Sequence, residues 1–247
     1  MKIITWNCNM DFRKKAGVIL AHLPDILVVP ECENLEKLHF APGLQVPFDS
    51  VWYGNNPHKG LGVFAYNGYQ LQLLDCHNPD FKNILPIAVT GGEIDFMLFA
   101  IWANNPEDKD GPYITQIWKA LKHYDHLLAG TKTILTGDFN SNTIWDKPRR
   151  EGNHSALVAK LEAKQIYSTY HTFYQQKQGK EAHPNFYLYR HEDKPYHLDY
   201  CFVSQDFVKT LKTVEVGTYE DWMRYSDHKP LMVEFDNIFY NATRKDL

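Results

Sequence analysis

The sequence predicts an α/β fold in which β-sheets are covered by helices. Short apolar runs rich in Val, Ile, Phe and Tyr recur along the chain, and longer segments with helical spacing lie between some of them. The chain contains no internal repeat, no low-complexity tract and no Pro/Gly/Ser-rich linker. We therefore expect a single domain over residues 1–247.

The predicted strands extend from the first residues almost to the end of the chain. They are, in order, "KIITW", "DILVV", "LGVFAY", "YQLQLL", "ILPIAV", "IDFMLFAIWA", "KTILTG", "HLDYCFV", "TVEVG" and "PLMVEF". Several of these runs stand close enough together to form hairpins, whereas others are separated by the helical segments. This arrangement is typical of sheets with helices packed on them.

Three segments have apolar residues at helical spacing. They are "FRKKAGVILAHL" with Ala16, Val18, Ile19 and Leu23, "YITQIWKALKHYDHLL" with Ile114, Ile117, Trp118, Leu121, Tyr124 and Leu128, and "HSALVAKLEAKQI" with Ala156, Leu157 and Leu161. A stripe of this kind is the face that a surface helix packs against its core. We expect these residues to be core rather than contacts to a cofactor.

Composition and charge restrict the function. Hydrophobic residues make up 44% of the chain, charged residues make up 23%, and the formal net charge is -4. This balance is ordinary for a globular protein, and it argues against a protein that binds nucleic acid through broad cationic coverage. A nuclease remains compatible with it, because a local basic patch and a bound metal can supply the positive field.

The cysteines and the N-terminus indicate a reducing compartment. None of the four cysteines, Cys8, Cys32, Cys76 and Cys201, lies in a CxxC pair, so we expect reduced thiols rather than a zinc ribbon. No apolar run approaches the roughly 20 residues of a membrane helix. The first residues, "MKIITWNCNM", enter a predicted strand without a signal-peptide pattern. We expect a cytoplasmic protein with no membrane contact.

A glycine-containing stretch, "TGDFNSN", follows one predicted strand and contains Asp138 and Asn140. Side chains two residues apart in a strand point to the same face, so this carboxylate and amide would lie together. Such a pair suits a site that handles a metal ion or a phosphate. An Asx-rich turn explains the same residues equally well.

Further polar residues stand at the ends of other predicted strands. They are Asn7, Glu31, Asp199, Asp227 and His228. Each alone has an ordinary explanation, such as a helix cap, a first-turn acid or a buried hydrogen bond. As a set they offer hard oxygen ligands, which suit Mg²⁺ or Mn²⁺ better than zinc. Asp199 is the natural partner to orient the His228 ring and to favour its charged form.

The motifs "TWN", "PE", "GDFN", "LDYCFVS" and "SDHKP", in this order, resemble those of the endonuclease/exonuclease/phosphatase superfamily. That superfamily includes pancreatic-type deoxyribonuclease, apurinic/apyrimidinic endonucleases, sphingomyelinases and inositol-polyphosphate phosphatases. The resemblance extends from residue 3 to about residue 235, and "GDFN" combined with "SDHKP" is its most specific part. The stretch from "HTFYQQ" to "YHLDYCF" resembles a bacterial-type branch.

The resemblance implies a four-layer α/β sandwich, in which two mostly antiparallel sheets pack face to face and are flanked by helices. It also implies a divalent cation, Mg²⁺ or Mn²⁺, held by Glu31 with Asn7 and supported by Asp227. Asp138 would orient or deprotonate the attacking water, and Asn140 would bind the scissile phosphate. His228 would stabilise charge on the phosphoryl oxygens, with Asp199 orienting its ring.

Two positions depart from the superfamily pattern. Trp102 stands where many members carry a catalytic His or Tyr, and an indole donates a hydrogen bond but does not exchange a proton. That role is therefore either dispensable here or filled by a neighbour such as Asn104, Asn105 or His197. Asn9 stands where the apurinic-site enzymes carry an acidic metal ligand, which predicts a lower metal affinity.

The candidate substrate contacts are Trp102, Asn105, Arg149, Arg150 and His197. Arg149 and Arg150 follow the "GDFNSN" turn with Lys147, and this basic cluster either meets phosphates or is simply solvated. The segment 167–197 is rich in Tyr, Phe and His, and aromatic rings there either stack on bases or belong to the core.

Three functions stay open at this point. The first is a Mg²⁺- or Mn²⁺-dependent nuclease or phosphodiesterase on DNA or RNA. The second is a phosphatase or phosphodiesterase on a small-molecule or lipid-derived phosphoester, and the third is a binding module with weakened catalysis. Nucleic-acid binding should weaken steeply with salt, whereas turnover of a small ester should change far less.

Overall fold

The computed structural model describes residues 1–104, 113–130, 132–147 and 149–236. The strands in these ranges are β1 (Lys2–Thr5), β2 (Ile26–Cys32), β3 (Asp49–Asn56), β4 (Lys59–Ala65), β5 (Gln70–Leu73), β6 (Ile84–Thr90), β7 (Phe96–Trp102), β8 (Thr133–Asp138), β9 (Ile166–Ser168), β10 (Phe186–Tyr187), β11 (Pro195–Tyr196), β12 (Asp199–Ser204), β13 (Leu211–Val216) and β14 (Leu231–Phe235). The α-helices are α1 (Phe12–Leu20), α2 (Ile114–His123), α3 (His154–Glu162), α4 (Thr169–Tyr174), α5 (Gln205–Val208) and α6 (Tyr219–Trp222).

Two six-stranded sheets form the centre of the fold. The first has the order β13-β14-β1-β2-β4-β3, and the second has the order β5-β6-β7-β8-β12-β9. Each sheet has one parallel pair, β1 with β2 and β7 with β8, and the other pairs are antiparallel. A short hairpin of β10 and β11 stands apart from both sheets.

Three buried clusters show how the layers pack. The largest contains side chains of both sheets, such as Val28 and Val63 from the first and Leu98 and Val203 from the second. A second cluster packs α2 and α3 on the outer face of the second sheet, and a third packs α1 on the outer face of the first. The layers are therefore helix, sheet, sheet and helix, which confirms the predicted four-layer sandwich.

The predicted elements are present with small differences. All ten predicted strands occur, as β1, β2, β4 to β8 and β12 to β14, and the three predicted helices are α1, α2 and α3. The predicted stripe of the first helix is wrong at Leu23, which is 68% exposed with a φ of 52°. It is exposed because α1 ends at Leu20 and the chain turns away from the sheet.

The cysteine pattern and the helix lengths add two observations. Cys8, Cys32 and Cys201 are buried thiols, whereas Cys76 is exposed, and all four are unpaired cysteines within the described residues. Across the described ranges, every helix falls short of the length and apolarity that crossing a bilayer demands. One domain over residues 1–247 stays a prediction, as does a cytoplasmic location.

Candidate active site

The ends of neighbouring strands bring the candidate catalytic residues together. Asp138 is the last residue of β8, and its register partners are Trp102 at the end of β7 and Asp199 at the start of β12. The facing sheet contributes Asn7 after β1, Glu31 within β2 and His228 shortly before β14. The amide of Asn7, directly after β1, donates to Asp138 Oδ2 over 3.0 Å and so joins the two sheets at this edge.

Asp138 is fully buried in a shell of donors. Its carboxylate accepts the backbone N–H of Asn140 at 2.9 Å, the Asn140 side-chain amide at 2.9 Å and the Asn7 amide at 3.0 Å. Burial raises the pKa of Asp138 to about 7, although the nearby His228 opposes the shift. A carboxylate with this pKa can accept a proton from water near neutral pH.

His228 is held between two carboxylates. Its Nδ1 lies 2.8 Å from Asp199 Oδ2, and its Nε2 lies 3.9 Å from Asp138 Oδ2. Burial acts to lower the pKa of His228, but the charges of Asp199 and Asp138 outweigh it and raise the pKa to about 10. His228 is therefore positively charged at neutral pH, with its Nε2 side turned towards Asp138.

The backbone around His228 is fixed from several sides. Ser226 Oγ donates to the Asn7 carbonyl at 2.7 Å and accepts the His228 N–H at 3.0 Å. The Trp6 indole donates to the His228 carbonyl at 3.0 Å, and the Phe186 ring packs 4.6 Å from the imidazole. The "TWN" and "SDHKP" segments are therefore hydrogen-bonded to each other, although more than 200 residues separate Trp6 from His228.

A β-bulge presents Glu31 to the site. In the pairing of β2 with β4, Pro30 faces Leu61 and Cys32 faces Gly60, so Glu31 is the extra residue, with a φ of 63°. Bulges re-aim a side chain next to active sites. The Glu31 carboxylate lies 3.4 Å from the Asn7 amide and 3.1 Å from Lys59 Nζ.

The residues predicted to hold a divalent cation lie at one edge of the site, and their role as metal ligands stays a prediction. The Asn7 side-chain nitrogen donates to Glu31 Oε1 at 3.4 Å, and the Asn7 Oδ1 accepts the Asn9 N–H at 3.0 Å. Asp227 is tied to the same edge because the Asn9 side chain donates to its Oδ1 at 3.1 Å. Their donors are carboxylate and amide oxygens, which Mg²⁺ and Mn²⁺ prefer. The Lys59 ammonium already places a cation against Glu31. Asn9, the second departure from the superfamily pattern, acts here as support for Asp227.

A second acidic grouping lies deeper. Among the described residues, Asp138, Asp199 and His228 form a group whose ligand atoms lie within 4.8 Å of one another. The group can hold a cation by distance alone. His228 Nδ1 already contacts Asp199 Oδ2 at 2.8 Å, so a cation bound here would compete with the imidazole for that carboxylate.

The structure brings some of the predicted substrate contacts to the site and leaves others apart. Trp102 is aligned with Asp138 but only 4% exposed, and His197 is buried with its Nδ1 2.9 Å from the His183 carbonyl. Arg149 and Arg150 are exposed, and Arg150 donates to Thr115 on α2. Asn105 lies outside the described residues. Substrate contact by these residues stays a prediction.

Sequence reasoning missed two residues of the site. The sequence does not single out Lys59, because only the pairing of β2 with β4 places it beside Glu31. Asn185 is fully buried, and its side chain binds the backbone of the Asp199 strand, with Oδ1 accepting the N–H of Leu198 and of Asp199. A polar residue inside the aromatic run "HPNFYLY" was the only available signal for Asn185.

Comparisons with known proteins support the fold. The sequence matches no protein-family model and no curated protein. Its structure is similar to that of a 3′ phosphatase from Neisseria bound to a product DNA hairpin, with a TM-score of 0.64 and 22% identity over 96% of this chain and 99% of that chain. It is also similar to an AP endonuclease from Archaeoglobus fulgidus, with a TM-score of 0.69 and 17% identity over 96% of this chain and 99% of that chain.

A third similar structure is the endonuclease domain of TRAS1, a telomere-specific non-LTR retrotransposon, with a TM-score of 0.59 and 13% identity over 95% of this chain and 98% of that chain. These proteins belong to the endonuclease/exonuclease/phosphatase superfamily. The resemblance read from the motifs is therefore confirmed at the level of the fold.

Proposed function

We propose that this protein is a divalent-metal-dependent phosphoester hydrolase, and specifically a nuclease or phosphodiesterase that acts on DNA or RNA. The observation that carries the proposal is the placement of two buried neighbours, Asp138 among the amides of Asn7 and Asn140, and His228 with its Nδ1 2.8 Å from Asp199 and its Nε2 3.9 Å from Asp138. The pKa of Asp138 is raised to about 7 by burial, and the pKa of His228 is raised to about 10 because the two carboxylates outweigh its burial. One can take a proton from water while the other stays charged, and hydrolysis of a phosphoester needs both.

The residues divide the work as follows. Asp138 orients the attacking water and accepts its proton. The Asn140 amide, which donates to Asp138 Oδ2 and to the Ala103 carbonyl, exchanges its 3.1 Å contact with Ala103 for an oxygen of the scissile phosphate. His228, oriented by Asp199, donates from Nε2 to the phosphoryl oxygens and stabilises the charge that develops there. Glu31, Asn7 and Asp227 would hold Mg²⁺ or Mn²⁺, which supplies further neutralisation of phosphoryl charge when bound.

Nucleic acid is the favoured substrate class. The structures similar to this one include a phosphatase bound to a DNA hairpin and an AP endonuclease. Exposed Lys147 and Arg149 follow the Asp138 turn, and the half-exposed Trp145 ring lies 5.0 Å from Tyr196. Cationic and aromatic side chains in one region suit a phosphate backbone with unstacked bases.

The test is a substrate panel under three metal conditions. Single-stranded DNA, RNA, bis-p-nitrophenyl phosphate and p-nitrophenyl phosphate are incubated with Mg²⁺, Mn²⁺ or EDTA. We expect metal-dependent cleavage of nucleic acid and of the diester, lowered by about 10²-fold or more in His228→Ala and in Glu31→Ala. Glu36→Ala is the matched control, because Glu36 is an exposed glutamate outside the site.

Each result of the panel has a definite meaning. Turnover of the monoester alone would replace the nuclease with a phosphatase of small phosphoesters. Folded wild-type protein that cleaves none of the four substrates would contradict the hydrolase and favour a binding module. Activity that survives in EDTA would contradict the metal dependence.

A further inference from the structure

Lys59 occupies an unusual place for a surface lysine. It is the first residue of β4, whose partner strand β2 carries the bulge at Glu31. Its Nζ lies 3.1 Å from Glu31 Oε2, with 35% of the Lys59 side chain and 18% of the Glu31 side chain exposed. The pair is therefore partly desolvated, at the carboxylate that the superfamily resemblance assigns to the metal.

Trp102 supplies the second contact of the same ammonium group. Lys59 Nζ lies 5.5 Å from the centroid of the Trp102 ring, and Trp102 is in turn the register partner of Asp138. The face of an indole attracts a cation, and this attraction strengthens where water is partly excluded. Trp102 thus serves as a platform for a charged group, although it cannot exchange a proton itself.

These contacts account for the departure at Trp102. At this strand end the chain offers an indole, which donates one hydrogen bond but carries no charge and exchanges no proton. Lys59 reaches the same corner of the site from the other sheet and brings a full positive charge. The long and flexible lysine stem allows the ammonium group to move by a few ångströms while the residue stays anchored in β4.

We propose that Lys59 is a further residue of the active site, a tethered cation with two partners. Without metal it neutralises Glu31, and with a divalent cation on Glu31 it stays over Trp102 and binds a phosphate oxygen of the substrate. The proposal rests on the proposed function for its substrate contact. The competition between Lys59 and the metal ion for Glu31 does not depend on catalysis.

The first measurement is Mn²⁺ binding without substrate, by isothermal titration calorimetry. Because an ammonium and a divalent cation compete for one carboxylate, we expect Lys59→Met to bind Mn²⁺ about two- to fivefold more tightly than the wild type. Lys59→Arg keeps the charge and should bind Mn²⁺ with wild-type affinity. Lys212→Met is the matched control, since it removes a lysine that is 2.7 Å from Glu234 on a sheet edge away from the site.

The second measurement is oligonucleotide cleavage as a function of salt. Loss of a phosphate contact should raise KM about tenfold in Lys59→Met. The slope of log KM against log salt concentration should fall by about one, which corresponds to one lost phosphate contact. The Arg variant should retain most of the wild-type KM, and the Lys212→Met control should match the wild type in both respects.

The outcomes separate this proposal from the proposed function. Unchanged or weaker Mn²⁺ binding in Lys59→Met overturns the tethered cation, whether or not the wild type is a nuclease. Tighter Mn²⁺ binding with an unchanged KM overturns the phosphate contact. A wild type that cleaves nothing overturns the proposed function, and the Mn²⁺ titration then still decides whether Lys59 competes at Glu31.

Discussion

At the scale of single residues, the site depends on one buried histidine that stays charged. His228 loses the solvation of water, and only the adjacent carboxylates make its charged form favourable. The 2.8 Å contact from Nδ1 to Asp199 also fixes which nitrogen faces the reaction. Asp199 therefore orients His228, and its removal should change the pKa of His228.

We expect Asp199→Asn to lower the pKa of His228 by about two units, because a neutral amide no longer supports the buried charge. Hydrolysis should fall about 10²-fold or more in the same variant. The ring signals of His228, followed by NMR against pH, measure the first effect. Glu181→Gln is a matched control, since it alters another histidine–carboxylate contact, His171 to Glu181 at 3.0 Å. A His228 ring that titrates alike in Asp199→Asn and the wild type would contradict this account.

Residue identity was the part of the site that the sequence revealed best. Asp138, Asn140 and His228 were predictable because carboxylates, amides and histidine at strand ends have few structural uses together. The contact of Asn7 with Asp138 crosses between sheets and joins residues 131 positions apart in the chain. Periodicity contains no information about such a contact, and only the superfamily resemblance implied that these residues form one site.

At the scale of elements, the position of Asp138 depends on the residue before it. Gly137 has a φ of 143°, and a Cβ added there would lie 1.8 Å from the carbonyl oxygen of Ile101 on β7. Strands β7 and β8 therefore approach each other in a way that no side chain at Gly137 allows. The glycine of "GDFN" is needed for packing, in addition to any role in the turn.

We expect Gly137→Ala to lower the free energy of unfolding by about 3 kcal/mol, because the clash is with backbone and the φ is unfavourable. Urea unfolding measures the loss. Gly43→Ala is the matched control, with a φ of 88° but no heavy atom within 4 Å of the added Cβ. It should cost about 1 kcal/mol from the backbone conformation alone. Equal losses in the two variants would show that the close approach is unimportant.

Elements were predictable where a buried face had a clear pattern. The ten apolar runs all correspond to strands. The sequence did not predict β3, because Asp49 and Ser50 precede and Gly54 follows only three apolar residues, nor the two- and three-residue strands β9, β10 and β11. The bulge at Glu31 was not predictable, because a bulge is a property of the pairing between β2 and β4. Lys59 was not predictable for the same reason, because only the register of β2 with β4 shows that it lies beside Glu31.

At the scale of the whole molecule, buried histidines should make the free energy of unfolding fall as the pH is lowered. Burial lowers the pKa of His154 and of His197 to about 4 each. In the unfolded chain both would bind a proton below about pH 6.5. Between these values the unfolded state binds more protons than the folded state, so stability falls as the pH falls, by up to about 3 kcal/mol for each histidine.

Asp138 acts in the opposite direction over part of this range. Its pKa is raised to about 7, so the folded state takes up its proton before the unfolded state does. The acid dependence of the wild type is therefore a sum of opposed contributions, and a single histidine is best isolated by comparing variants.

We expect His154→Gln to have a flatter dependence of stability on pH than the wild type, because its side chain does not titrate. Relative to the wild type, the variant should gain about 2–3 kcal/mol in the free energy of unfolding between pH 7 and pH 4.5. Urea unfolding at both pH values measures this difference. His126→Gln, which changes an exposed histidine, should follow the wild type throughout. A constant difference between His154→Gln and the wild type would mean that His154 has the same pKa in the folded and unfolded states, and that its contacts with Ser141 and Gln178 offset the effect of burial.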